Sequence, residues 1–372
     1  MTEDTTMRIL LRGDAARYAA LTDEILESVL EAAEADEFIL KSRTARFEAA
    51  LCAELGAAHA VGCASTAGGL LLALGALGCG PGDEVIVPAW GPEALSGIVQ
   101  RLGSRPVLVD VSPEDGAPDV AAVTAAVGPA TRAVLLGPAG SDEARARLHE
   151  AALRLGVPIV EVGTPEPHRP RPRGVTTVVP LGPDDLLGGI GDAAAVVTDD
   201  ETLAQSSRML RNHGQALNER FLHIRVGYNC RMDESVAAFL LRRLPSYGAR
   251  RTAMRELADR YARGLSSAGT GALVLRPETC STPSGGLTLR TALRELVHAR
   301  LAAQGVETAM PSSCPDGSAV SSPPESVPFP GARLLAEQSL SLPLYPGLAP
   351  ADVDLVVGAV AECLAGHQDV TR

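Results

Sequence analysis

A series of short, continuously apolar runs paces the chain: "HAVGCAS" (59–65), "DEVIVPAW" (83–90), "RPVLVDV" (105–111), "RAVLLGP" (132–138), "VPIVEVG" (157–163), "VTTVVPLG" (175–182) and "AAAVVTD" (193–199). Polar and apolar residues do not alternate within them, which predicts strands buried on both faces, as in parallel sheets covered by helices. Segments with helical spacing lie between, such as "AGGLLLALGALG" and "GPEALSGIVQRLG". This alternation predicts an α/β fold, a doubly wound and mostly parallel sheet with helices on both faces. Ahead of the sheet, 22–40 reads as a helix with Thr22 or Asp23 as N-cap, and 46–56 as a second helix ended by Gly56.

From Glu201 onward the pattern turns helical, and the long helical stretch 233–269 reads as the bridge into a second domain. The remainder offers one short strand (285–291), the helix "LRELVHARLAAQG", and a Pro- and Ser-rich loop over 310–331 that is too polar for a core. A strand, a turn and a helix capped near Asp352 close the chain. The expected division is an N-terminal arm (1–21), a large α/β domain (22–250) and a smaller C-terminal α+β domain (251–372).

With 372 residues and nearly half of them apolar, the chain has ample material for such a core. The net charge of −12 argues against nucleic acid or an anionic membrane as partner. The arginine run around 171–173 reads as a solvated loop. The acidic N-terminus lacks an apolar signal segment and no run is long enough to span a bilayer, so a cytoplasmic protein is expected. Seven scattered cysteines without a C-x-x-C motif read as buried or free thiols, and no histidine spacing suggests a metal. The basic residues are all arginine except one, Lys41.

Five segments carry a resemblance: "GPGDEVIVPAW" (80–90), "GDAAAVVTDDETLA" (191–204), "RNHGQ" (211–215), "HIRVGYNCRMDESVAAFL" (223–240) and "LSLPLYPGL" (340–348). Together they resemble the DegT/StrS-type sugar aminotransferases, pyridoxal-phosphate (PLP) enzymes of fold type I, from about residue 22 to the C-terminus. The resemblance implies a seven-stranded sheet in the large domain and a homodimer with its sites at the subunit interface. It also implies action on nucleotide-linked keto-sugars or cyclitols. Fold follows from this; function must be argued from the site.

A PLP transaminase needs an amine for the Schiff base, a carboxylate on the pyridine nitrogen, a phosphate cup and a stacking side chain. The resemblance places the lysine at Leu186, which has neither nucleophile nor proton, and the family's phosphate-binding serine at Leu181. Asp184 and Asp185 stand in the turn that should face a phosphate, where each would cost about 1–4 kcal/mol; they read as turn or helix caps. The pyridine carboxylate falls at Val162, and the adjacent Glu161 points to the opposite face of its strand. The first phosphate loop becomes Ser65, Thr66 and Ala67, whose helix N-terminus still offers backbone N–H groups. Trp90 stacks on a ligand or packs beneath its loop, two residues before Pro92, the best-aligned position for the aromatic. Lys41 reads as a surface cation at a helix end.

His223, Tyr228 and Asn229 keep the family register. There the asparagine reaches the phosphate of the neighbouring subunit, and "RNHG" with His213 lines the same region. "GYN" either completes a partner's site or persists to shape the interface.

Three functions follow from these residues. The favoured one is an aminotransferase-fold protein of amino-sugar or specialised-metabolite biosynthesis that no longer transaminates, binds no cofactor, and pairs with an active paralogue whose site Asn229 completes. In the second, Asp184, Asp185, Glu161, His213 or Cys230 serves other, PLP-independent chemistry in the cleft, with a sugar or cyclitol as ligand. In the alternative, the chain is an active PLP-dependent sugar or cyclitol aminotransferase with a relocated lysine, necessarily Lys41.

Overall fold

The computed structural model describes residues 8–13, 18–92, 94–168, 171–219, 221–275, 286–310 and 329–368. Each apolar run of the N-terminal half becomes a strand of one sheet: β1 (His59–Cys63), β2 (Glu84–Pro88), β3 (Arg105–Val109), β4 (Thr131–Leu136), β5 (Ile159–Val162), β6 (Val175–Pro180) and β7 (Ala194–Thr198). Their spatial order is β1-β7-β6-β5-β4-β2-β3. The pairs from β3 through β6 are parallel, and β7 runs antiparallel to both its neighbours. The expected α/β class holds.

Both faces are covered, which is why the runs are continuously apolar. Val85 and Val87 of β2 and Leu135 of β4 enter one core cluster with Leu72 and Val178. Their neighbours Ile86, Val134 and Leu136 enter another, with Leu148 and Ile159. The covering helices are α3 (Thr66–Ala76), α4 (Ala94–Arg101), α5 (Val120–Ala126), α6 (Asp142–Leu155) and α7 (Glu201–Arg211).

Ahead of the sheet, α1 spans Thr22–Glu34 and α2 Ser42–Leu55. Gly56 ends α2 in the left-handed conformation at φ 62°, as expected of that glycine. The first helix stops six residues short of its expected end. Asp36 and Leu40 take left-handed φ values of 51° and 48°, and Phe38 and Ile39 turn instead to pair with Asp233 and Glu234. Tertiary pairing overrides the local helical pattern here.

The long helical stretch divides at Pro245, which has no N–H to continue the ladder. Its pieces are α8 (Glu234–Arg243), a 3₁₀ turn (Leu244–Ser246) and α9 (Tyr247–Ser267), which leads to the C-terminal unit. That unit is built on an antiparallel sheet ordered β10-β9-β8, from β8 (Leu273–Leu275), β9 (Leu287–Arg290) and β10 (Ser339–Leu342). It is covered by α10 (Arg294–Ala303), α11 (Pro330–Gln338) and α12 (Pro350–Gln368). β8 has no counterpart in the sequence reading. One continuous apolar cluster joins α2 and β7 to β9 and α12, through residues such as Leu51, Val197, Leu289 and Val356. Within the N-terminal arm, residues 8–13 are docked: Ile9 bridges Val306, and both Ile9 and Leu11 are buried. Most of the Pro- and Ser-rich loop of 310–331 lies outside the described residues, as do Cys280 and Cys314.

The reading of the 171–173 run as solvated holds for Pro172 and Arg173, which are exposed, but not for the side chain of Arg171, which is 5% accessible with Asp199 3.9 Å away. No helix among the described residues is long and apolar enough to cross a membrane.

Candidate functional site

The turn between β6 and β7 is closed by its own backbone. Gly182 N–H donates to Asp185 Oδ2 at 2.7 Å, Asp185 N–H returns to the Gly182 carbonyl at 3.2 Å, and Gly189 N–H donates to the same carbonyl at 2.9 Å. A Cβ on Gly189 would lie 2.2 Å from the Leu181 carbonyl oxygen, so only glycine fits that close approach. Asp185 therefore caps the turn, as its residue type suggested. Burial, with the charges of Asp184 and Asp192, pushes its carboxyl up to about 6 against the pull of the Gly182 N–H. Asp184 is exposed and pairs with Arg12 at 3.0 Å.

Leu186 is buried in the core cluster that holds Leu181, Leu187 and Ala193, while its carbonyl accepts from Arg250 Nε at 2.7 Å. The two adjacent side chains of this turn are thus a hydrocarbon and a carboxylate. Neither carries an amine. Lys41 stands at the N-cap position of α2, exposed, with its backbone N–H donating to Glu234.

On β5 the side chains divide by face. Val162 enters the cluster of Val160, Val178 and Cys230. Glu161 points the other way, toward α6, where it meets Arg145 Nη1 at 2.9 Å, His149 Nε2 at 3.0 Å and Thr177 Oγ1 at 3.2 Å. Burial alone would raise its carboxyl, but the His149 hydrogen bond and the Arg145 charge outweigh it and hold it down at about 2. The surface cleft there is lined by Arg145, His149, Arg171 and Arg251, and it contains Glu161 but none of the other predicted site residues.

The N-terminus of α3 gathers most of the rest. Ser65 caps the helix, its Oγ accepting from Gly68 N–H at 3.0 Å. That hydroxyl is already engaged, and Thr66 follows it half-buried. The segment after α7 folds back against this turn: Ala64 N–H donates to the Cys230 carbonyl at 3.3 Å, and Cys230 N–H to the Arg211 carbonyl at 2.9 Å. His213, left-handed at φ 60° and exposed, donates its N–H to the Tyr228 carbonyl, while Asn229 is exposed and accepts from Arg231 at 3.0 Å. Ser65, Thr66, His213, Tyr228 and Asn229 therefore belong to one region.

Trp90 does not join that region. It is 2% exposed and packs with Val111 and Leu335, and a Cβ on Gly116 would lie 2.6 Å from its ring. Of the two readings of Trp90, packing beneath the loop is the one observed. No group of three or more His, Cys, Asp or Glu among the described residues could hold a metal.

These residues do not offer the groups by which a PLP transaminase grips and activates its cofactor. The turn has no amine for an imine, the adjoining loop is acidic, and Val162 presents hydrocarbon where the family resemblance places the carboxylate that stabilises a protonated pyridine. Sequence reasoning missed Arg145 and His149, whose i, i+4 spacing on one helix signalled a shared face, and Cys63, which nothing but the fold brings to Cys230.

A family model described as the DegT/DnrJ/EryC1/StrS aminotransferase family matches residues 19–161 and 183–361. A dTDP-3-amino-3,4,6-trideoxy-alpha-D-glucose transaminase of Streptomyces venezuelae is 35% identical, covering 93% of this chain and 94% of that one. A UDP-2-acetamido-2-deoxy-3-oxo-D-glucuronate aminotransferase of Pseudomonas aeruginosa is 30% identical, covering 92% and 97%. Among solved structures, S. venezuelae DesV in complex with a ketimine intermediate superposes with a TM-score of 0.84 at 31% identity, covering 96% and 98%.

Proposed function

We propose that this chain, which belongs to the DegT/DnrJ/EryC1/StrS aminotransferase family, serves amino-sugar biosynthesis as a non-transaminating subunit paired with an active aminotransferase of the same family. The carrying observation is the β6–β7 turn, where Asp185 and Leu186 stand and no amine is present. A chain without an imine-forming side chain there cannot pass an amino group through a cofactor held in the family manner.

The surface supports the partner half of the reading. The loop after α7 exposes Leu217, Phe221, Leu222, Ile224 and Val226, with Phe221 77% and Val226 94% accessible. So many apolar side chains on one loop mark an interaction surface rather than a solvated one. The loop is anchored at its base by Gln215 pairing with His223, and by His223 Nδ1 donating to the His213 carbonyl at 3.0 Å. Docked on a related subunit, it would carry Tyr228 and Asn229 toward that subunit's site. The relatives' names carry UDP- and dTDP-linked sugars, which supports reading a nucleotide-linked sugar as the substrate class of the pair.

Two measurements test this. Purified protein incubated with PLP and reduced with borohydride is expected to yield no pyridoxyl peptide. An adduct at Lys41 that Lys41→Ala removes would instead establish an active enzyme. Co-expressed with a family aminotransferase from the same gene neighbourhood, the chain is expected to co-purify. Val226→Asp and Phe221→Asp should each weaken the pair by at least about tenfold, since a charge would be buried among apolar contacts. A homodimer that ignores every such aminotransferase would overturn the pairing.

A further inference from the structure

We propose that Cys63 and Cys230 form a reactive dithiol that a hydroperoxide converts to an intrachain disulfide, fastening the segment behind the exposed loop to the end of β1. Cys63 is the last residue of β1 and bridges Arg231, the neighbour of Cys230. Both sulfurs press against the first turn of α3. A Cβ on Gly68 would lie 2.3 Å from Cys230 Sγ, and one on Gly69 3.2 Å from Cys63 Sγ. The two thiols thus face adjacent residues of one helix turn, and Cys63 Sγ lies 3.3 Å from the Ala194 carbonyl oxygen. Glycine at both helix positions is what leaves room for this pair.

The pair is chemically unequal. The neighbouring Cys63 thiol lowers the Cys230 thiol, helped by the Ala64 N–H and the Arg211 charge; the Cys230 thiol, together with complete burial, raises Cys63. The positive end of α3 adds to the preference for a thiolate beside Gly68. Cys230 is therefore the attacking sulfur and Cys63 the resolving one. Cys230 thiolate attacks the peroxide: an S–O bond forms, the O–O bond breaks, and the departing hydroxide takes a proton to become water. Cys63 then attacks the sulfenic sulfur. The S–S bond forms, the S–O bond breaks, and the hydroxide leaves as water with the Cys63 proton. The two thiols have supplied the two electrons that reduced the peroxide. Cys230 is 5% exposed and Cys63 fully buried, so the oxidant must be as small as hydrogen peroxide.

In the test, reduced full-length protein is treated with hydrogen peroxide, its remaining thiols are blocked, and it is digested without reductant. Mass analysis is expected to find Cys63 joined to Cys230 as the dominant linkage. Its share should fall about tenfold in urea, where cysteines pair without preorganisation. Cys63→Ser is expected to stop at a Cys230 sulfenic acid that dimedone captures. Dominant linkage through any other pair, dimedone capture at Cys63 ahead of Cys230, or an equal share in urea would overturn the proposal. The comparison of native with urea-treated wild-type protein stands even if the variant does not fold.

Discussion

Glu234→Ala is expected to destabilise the protein by roughly 3–5 kcal/mol, because it strips several buried donors of their acceptor at once. Glu234 is fully buried at the start of α8. Its carboxylate accepts from Lys41 N–H and Arg43 N–H at 2.7 Å each, from Thr44 N–H at 3.1 Å, and from the Thr44 hydroxyl. These N–H groups open α2, a terminus whose donors have no intrahelical partner and whose N-cap residue, Lys41, supplies no side-chain acceptor. A residue nearly two hundred positions away performs the capping, and its negative charge suits the positive end of the helix. Glu234→Gln keeps one acceptor but turns an amide NH₂ toward N–H groups, and should lose about half as much. Urea midpoints for the two variants check the order. A loss below about 1 kcal/mol for Glu234→Ala would show that α2 does not depend on this contact.

That contact also shows what the chain displays and what it conceals. Strand positions were legible because a sheet covered on both faces demands unbroken apolar runs, and Gly56 announced the end of α2 through its backbone freedom. The beginning of α2 was not legible. Periodicity placed it at Arg46, whereas the observed start is Ser42, because the acceptor that stabilises the first turn comes from α8. The end of α1 was hidden for the same reason, since Phe38 and Ile39 are claimed by residues 233 and 234. Within the candidate site, alternation along β5 was enough to send Glu161 and Val162 to opposite faces. What Glu161 meets there was not readable, because Arg145 and His149 arrive on a helix from the preceding crossover. The burial of Trp90 and Arg171 likewise depends on packing from distant segments, which composition alone does not encode.

Glu161 supplies the second large effect, and it depends on pH. Its carboxyl titrates at about 2 in the folded protein against an ordinary value of 4.5. A carboxyl depressed by folding stabilises the native state above its unfolded value. That contribution disappears as pH falls through the folded one. The window therefore runs from just above 4.5 down to about 2, and the difference corresponds to about 3 kcal/mol at neutral pH. Other carboxylates titrate in the same range, so the measurement is the gap between wild type and Glu161→Gln rather than either curve alone. At neutral pH the variant removes the charge facing Arg145, 6% exposed, and leaves it an uncharged amide oxygen beside the Gly137 and Ala139 carbonyls, so the gap should be about 3 kcal/mol. Below about pH 3 wild-type Glu161 is itself moving toward the neutral form, and the gap should shrink toward zero. Urea denaturation at neutral and acid pH reads both values. A gap that stays constant would mean that Glu161 acts through packing, with its charge contributing nothing to the fold.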